Sequence, residues 1–175
     1  MSAREPVTPR RRPPLALIGF MGSGKSVVGA LVAELAGVPF RDLDQMVVAQ
    51  AGLSVAEIFA TRDEAYFRSL EKRLLPDSLE PGAVVALGGG AVLDDESWTL
   101  VAERALSVYL EVSFETIWDR IHGQPGRPLL AGRSRAEVEA LLERRRPRYM
   151  KARRTVDGDR PVDVVAAEVL QLWSA

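Results

Sequence analysis

The stretch LALIGFMGSGKSVVG, residues 15–29, limits the possible folds more than any other part of this chain. Five apolar or small residues, 15–19, run directly into Gly19, Gly22 and Gly24, and these are followed at once by Lys25 and Ser26. The pattern is G-x-x-x-x-G-K-[ST], entered from a strand and left through a helix. Phosphate oxygens bind where successive backbone N–H groups converge, and side chains at those positions would crowd the anion. The following helix adds unpaired donors and the positive end of its dipole. Lys25 can reach β- and γ-phosphates, and the Ser26 hydroxyl is a hard oxygen ligand suited to Mg²⁺. By residue frequencies the full pattern arises by chance in on the order of 1% of chains of this length. A turn that binds nothing is therefore the weaker reading, although the motif alone does not separate a kinase from a GTPase or an ATP-driven machine.

The rest of the chain repeats the same alternation. Strand-type runs at 15–19, 38–44, 83–87, 107–112 and 155–158 are separated by helix-period segments. Gly37 stops the first helix. Ser54 with Glu57, and Ser134 with Glu137, read as capping boxes. Asp63 caps EAYFRSLEKRLL, which Pro76 is expected to end. Ser113 opens a helix to about His122, a further helix ends near Ala152, and Pro161 lies in the first turn of the last one. Alternation of this kind predicts an α/β fold with a parallel sheet and helices on both faces. Ligands in such folds bind at the carboxyl ends of the strands. The Gly19–Ser26 loop, Asp42 with Asp44, and Gly88–Gly90 all follow strand ends and should converge there.

Composition narrows the function. The 175 residues suffice for one domain, and a net charge of −1 gives no general attraction to nucleic acid or anionic membrane. There is no cysteine and a single histidine, His122, so thiolate and histidine-built metal sites are excluded. No apolar run approaches a transmembrane span. Residues 1–14, MSAREPVTPRRRPP, read as a disordered basic, proline-rich tail rather than a signal peptide. The expected domain is 15–175, and the expected location is the cytoplasm.

Several side chains carry candidate chemistry. Asp42 and Asp44 sit one residue apart, and continued strand geometry would aim both at one face. One could hold Mg²⁺ through water while the other accepts a hydrogen bond from an attacking hydroxyl. The plainer alternative is that Asp44 caps the next helix. Arg68 and Glu71 are spaced to pair on a helix, either as a solvated surface pair or as a guanidinium fork held ready for an anionic group. Residues 144–154 hold seven basic residues and no acidic one, which a solvated helix face explains. Arg127 lies in the Gly/Pro-rich segment 123–134, which suggests a lid closing over the phosphates.

Taken in order, GFMGSGKS, FRDLD, EIF, YFRSLE, ALGGGAV, RPLLAG and RRPRY resemble the shikimate kinase family over nearly the whole chain after the tail. The resemblance implies a three-layer α-β-α P-loop kinase fold with a five-stranded parallel sheet and a lid. It implies transfer of the ATP γ-phosphoryl group to the 3-hydroxyl of shikimate, with Mg²⁺ as cofactor, and a monomer is expected. By position it assigns Gly22, Ser23, Gly24, Lys25, Ser26 and Val27 to the ATP phosphates, and Arg120, Arg160 and Pro161 to the adenine region. It assigns metal binding to Ser26 and, through water, to Asp42, and catalysis to Asp44, Lys25 and the lid arginine Arg127. Asp44, Phe59, Phe67, Arg68, Gly88, Gly89, Gly90 and Arg145 would meet the substrate, with Glu71 positioning Arg68. The chain departs from the family pattern in Asp63–Glu64, in the residue before the triple glycine, in a shorter stretch between Tyr149 and Pro161, and in the basic tail. The alternatives are a gluconate-kinase-like enzyme, disfavoured because DLDQMV contains no histidine, and a non-catalytic nucleotide-binding module.

Overall fold

A computed structural model describes residues 12–124 and 130–175. Five parallel strands form its centre: β1 (Leu15–Ile18), β2 (Phe40–Asp42), β3 (Val84–Ala86), β4 (Leu106–Glu111) and β5 (Arg154–Asp157), in the order β2-β3-β1-β4-β5. The central strand β1 is completely buried because both faces of the sheet are covered. Its side chains alternate accordingly. Leu15 and Leu17 pack with Val84, Val108 and Leu110 under α1 (Lys25–Ala36) and α8 (Val162–Ser174). Ala16 and Ile18 face the opposite layer, with Val85, Tyr109 and residues of α4 (Glu64–Ser78), α5 (Asp95–Arg104), α6 (Phe114–Ile121) and α7 (Arg135–Tyr149). Each buried Leu or Ile contributes about 1.5–3 kcal/mol from its removal from water. The three-layer α-β-α arrangement is that of P-loop kinases.

A smaller core joins α2 (Leu43–Ala51), α3 (Val55–Thr61) and α4 through Val47, Ile58, Phe67 and Leu70. It fixes a helical wall beside the carboxyl end of the sheet. Both capping boxes form, at Ser54/Glu57 and Ser134/Glu137, and Asp63 accepts from the Tyr66 N–H at 2.7 Å.

Three readings of these elements need correction, and one helix was not foreseen. Helix α4 runs two residues past Pro76. Proline removes only its own N–H, and its φ suits a helix, so the Leu79 N–H still reaches the Leu75 carbonyl at 3.3 Å. Strand β2 stops at Asp42, so Asp44 stands in the first turn of α2 rather than on an extended strand. The residue capping α2 is Asp42, whose side chain accepts from the Asp44 and Gln45 N–H groups, and not Asp44. Helix α5 has no counterpart in the sequence reading. Asp94 caps it by accepting from the Ser97 N–H, and acidic residues occupy its first turn.

Residues 12–14, expected in the tail, belong to the fold. The Trp173 indole N–H donates to the Pro13 carbonyl at 2.8 Å, and the Leu106 N–H donates to the Pro14 carbonyl. Residues 1–11 lie outside the described residues, as does the centre of the expected lid, 125–129, with Arg127. Among the described residues no helix is long and apolar enough to cross a membrane.

Candidate active site

A cleft of about 600 Å³ opens at the carboxyl ends of β1, β2 and β3. Its nucleotide side is the loop between β1 and α1. Gly24 stands at the N-cap of α1 with φ at +90°, a conformation that a side chain would strain. Among the described residues no side chain caps this helix, and its start at Gly24–Ser26 lines the cleft, which leaves its first N–H groups open to an anion. Lys25 Nζ lies over the loop, donating to the Gly19 carbonyl at 3.0 Å and the Phe20 carbonyl at 2.9 Å. Arg120, from α6, donates to the Gly22 carbonyl at 3.0 Å and so braces the loop from outside. Gly22, Gly24, Lys25, Ser26, Val27 and Arg120 all line the cleft. Ser23 is buried behind it.

Ser26 Oγ donates to Asp42 Oδ2 at 2.5 Å, which joins the start of α1 to the end of β2. The other oxygen of Asp42 caps α2. Together these groups present two hard oxygen ligands at the cleft, a fit for Mg²⁺. Among the described residues no group of three or more His, Cys, Asp or Glu could hold a metal ion. An ion here would need phosphate oxygens to complete its shell, as nucleotide-borne Mg²⁺ does.

The opposite wall is built for an anion and a hydroxyl. Arg68 Nη1 donates to Glu71 Oε2 at 2.7 Å, and its guanidinium lies over the Phe67 ring. Arg145, on α7, is 7% exposed and lies over Phe20. Asp44 projects from the first turn of α2 into the same space. Burial raises its carboxyl above the usual carboxylate range, with a further push from Asp42, against the pull of Lys25 and Arg68. Burial likewise carries Glu71 up to about 7, opposed by Arg68. Phe59 and Phe67 meet with ring centroids 5.5 Å apart and close the apolar side.

The run Gly88–Gly90 follows β3, and charged side chains lie close against Gly88 and Gly90. A Cβ on Gly88 would come within 2.6 Å of Glu71 Oε1 and 2.7 Å of Asp44 Oδ1. A Cβ on Gly90 would lie 2.3 Å from Arg68 Cζ. The backbone therefore forms the cleft floor under three charged side chains.

Among the described residues, Arg41 Nε, Asp44 Oδ1, Glu71 Oε1 and Arg145 Nη1 are buried without a hydrogen-bond partner. Buried polar atoms in folded proteins are paired almost without exception. Two of these, on Asp44 and Arg145, belong to residues lining the cleft and are left available for a ligand.

Of the residues expected at the site, the structure brings together both loops, both aspartates, both phenylalanines, Arg68, Arg120 and Arg145. It does not bring Arg160 or Pro161 to the cleft wall. Arg160 donates to Glu168 and to the Asp157 carbonyl, and so is held on the α8 side. Met21, Gln45, Val55 and Gln124 also line the cleft and carry no sequence signal of their own.

The comparisons agree with this geometry. The family described as Shikimate kinase matches residues 21–173. A shikimate kinase of Salinibacter ruber is 42% identical, over 91% of this chain and 83% of its own. One of Aquifex aeolicus is 39% identical over 88% and 92%. The solved structure of shikimate kinase from Acinetobacter baumannii in complex with shikimate superposes with a TM-score of 0.89 at 30% identity, covering 93% of each chain. A gluconokinase from Sinorhizobium meliloti, at 21% identity and a TM-score of 0.55, shares the fold alone. The P-loop, the paired arginines around an acid-lined cleft and a match across nearly the full length place this chain in the shikimate kinase family.

Proposed function

We propose that this chain transfers the γ-phosphoryl group of ATP to the 3-hydroxyl of shikimate, giving shikimate 3-phosphate and ADP, with each residue acting as follows. The observation that carries the reading is the pair of unpartnered buried atoms in the cleft wall, Asp44 Oδ1 and Arg145 Nη1. A fork-shaped cation at Arg145, a second at Arg68 held by Glu71, and an acceptor at Asp44 suit a small carboxylate bearing hydroxyls.

Arg68 and Arg145 hold the substrate carboxylate, while Phe59 and Phe67 cover the ring. Gly88, Gly89 and Gly90 let the ring approach through backbone. Asp44 accepts a hydrogen bond from the attacking hydroxyl and takes its proton as the oxygen bonds to phosphorus and the bond to ADP breaks. Its raised affinity for a proton, set first by burial, suits that role. Lys25 and the amides opening α1 carry the growing charge on the phosphate oxygens. Mg²⁺, held by Ser26 and through water by Asp42, would neutralise phosphate charge. Every group named comes from one chain, so the proposed chemistry needs no second copy, and a cytoplasmic location is consistent with it.

The test is ADP release measured with shikimate, quinate and gluconate offered separately. Turnover with shikimate is expected. Turnover with gluconate and none with shikimate would overturn the assignment.

A further inference from the structure

The Gly88–Gly90 floor is held by a side chain that takes no part in the chemistry above. Tyr149 is the last residue of α7, completely buried, and its hydroxyl donates to the Gly89 carbonyl at 2.6 Å. Four residues earlier on the same helix stands Arg145, so both side chains leave one face of α7. The Tyr149 ring packs against Tyr109 of β4, with centroids 5.4 Å apart. The phenol has little freedom, and the carbonyl it grips belongs to the residue directly before Gly90.

We propose that Tyr149 is a positioning residue for the acceptor substrate: its hydroxyl locks the Gly88–Gly90 backbone to the helix that carries Arg145, setting the floor and one guanidinium clamp in register. The proposal rests on the shikimate reading above but adds a residue that does not touch substrate. The clamp and the floor come from segments more than fifty positions apart, and this hydrogen bond joins them directly. Gly90 supports the guanidinium of Arg68, so a shift of the floor would disturb the other clamp as well. Burial carries the phenol up to about 12, against the pull of Arg145, so the donated proton is present at any physiological pH. The start of the nucleotide loop, Gly19 and Met21, also borders Gly89, but Tyr149 makes no described hydrogen bond to that loop, and Gly24–Ser26 at the start of α1 do not border Gly89.

Tyr149→Phe removes the hydroxyl and keeps the ring. The KM for shikimate should rise about five- to tenfold, the scale of one lost hydrogen bond, while the KM for ATP stays unchanged. In the substrate-free enzyme, amide hydrogen exchange over residues 87–93 should speed up, with residues 24–27 unaffected. Tyr109→Phe, which removes the hydroxyl of the neighbouring tyrosine, with no described bond to the glycine run, should change neither KM. Equal rises in both KM values, or unaltered exchange over 87–93, would overturn the proposal, because a purely structural tyrosine would act in that way. The exchange measurement needs no turnover. A wild-type enzyme inactive on shikimate would therefore refute the substrate assignment while leaving the tether testable.

Discussion

Arg68 and Glu71 form an ion pair of 2.7 Å in which the carboxylate is 2% exposed. A surface pair at this spacing is worth little, but here one partner is withdrawn from water and borders the glycine floor. Burial is the dominant influence on Glu71 and carries its pKa from 4.5 in the open chain to about 7 in the fold.

A pH dependence follows. Between these values the native state keeps a proton that the unfolded chain has lost, so Glu71's contribution is complete below about pH 4.5 and is lost as pH rises through about 7. Glu71→Gln stays neutral throughout. Its stability relative to wild type should improve by on the order of 1–3 kcal/mol across that window. Denaturant melts at several pH values check this, and a pH-independent difference would contradict it.

Asp44→Asn keeps the shape and removes the proton acceptor. Turnover should fall by about 100-fold or more, with ADP affinity reduced far less, because Asp44 stands on α2 and acts on the nucleotide side through its attraction to Lys25. Steady-state kinetics with ADP titration decide the matter. Unchanged turnover would remove Asp44 from the mechanism.

Gly90→Ala places a Cβ where the Arg68 guanidinium now lies. The guanidinium is the far end of a long side chain, so the fold should tolerate the displacement with a loss within about 1 kcal/mol. Shikimate binding should suffer much more, since the fork would point elsewhere. Calorimetric binding alongside a thermal melt separates the two effects. A variant that binds shikimate normally would show that Arg68 is not a clamp.

Arg145→Ala should weaken shikimate binding by about 2–3 kcal/mol, the cost of a lost charged hydrogen bond, and ATP binding far less. Arg145→Lys should recover little, because an ammonium cannot supply the planar fork. Equal losses for both ligands would refute the role.

What could be read in the sequence was local. The loop Gly19–Ser26 declares itself because phosphate binding depends on consecutive backbone amides. The strands at 15–19 and 83–87 declare themselves because burial on both sides demands an unbroken apolar run. The capping boxes at Ser54 and Ser134 are likewise short-range. Asp42 was harder to place. Its two oxygens serve two elements at once, Ser26 on α1 and the start of α2, and no spacing rule reveals that. Helix α5 was missed although Asp94 caps it and its apolar periodicity equals that of α4, so its signal was present in the sequence.

The sequence alone therefore determined that this chain is an α/β phosphate binder with glycine loops and two aspartates at strand ends, since those signals lie within a few residues of one another. Only the tertiary structure decided which charges are withdrawn from water. It sank Glu71 beside Gly88, left Arg145 Nη1 unpaired, drew Arg160 off to Glu168 and brought Tyr149 to Gly89. Burial and pairing depend on segments far apart in the chain, and charge energetics follow from burial.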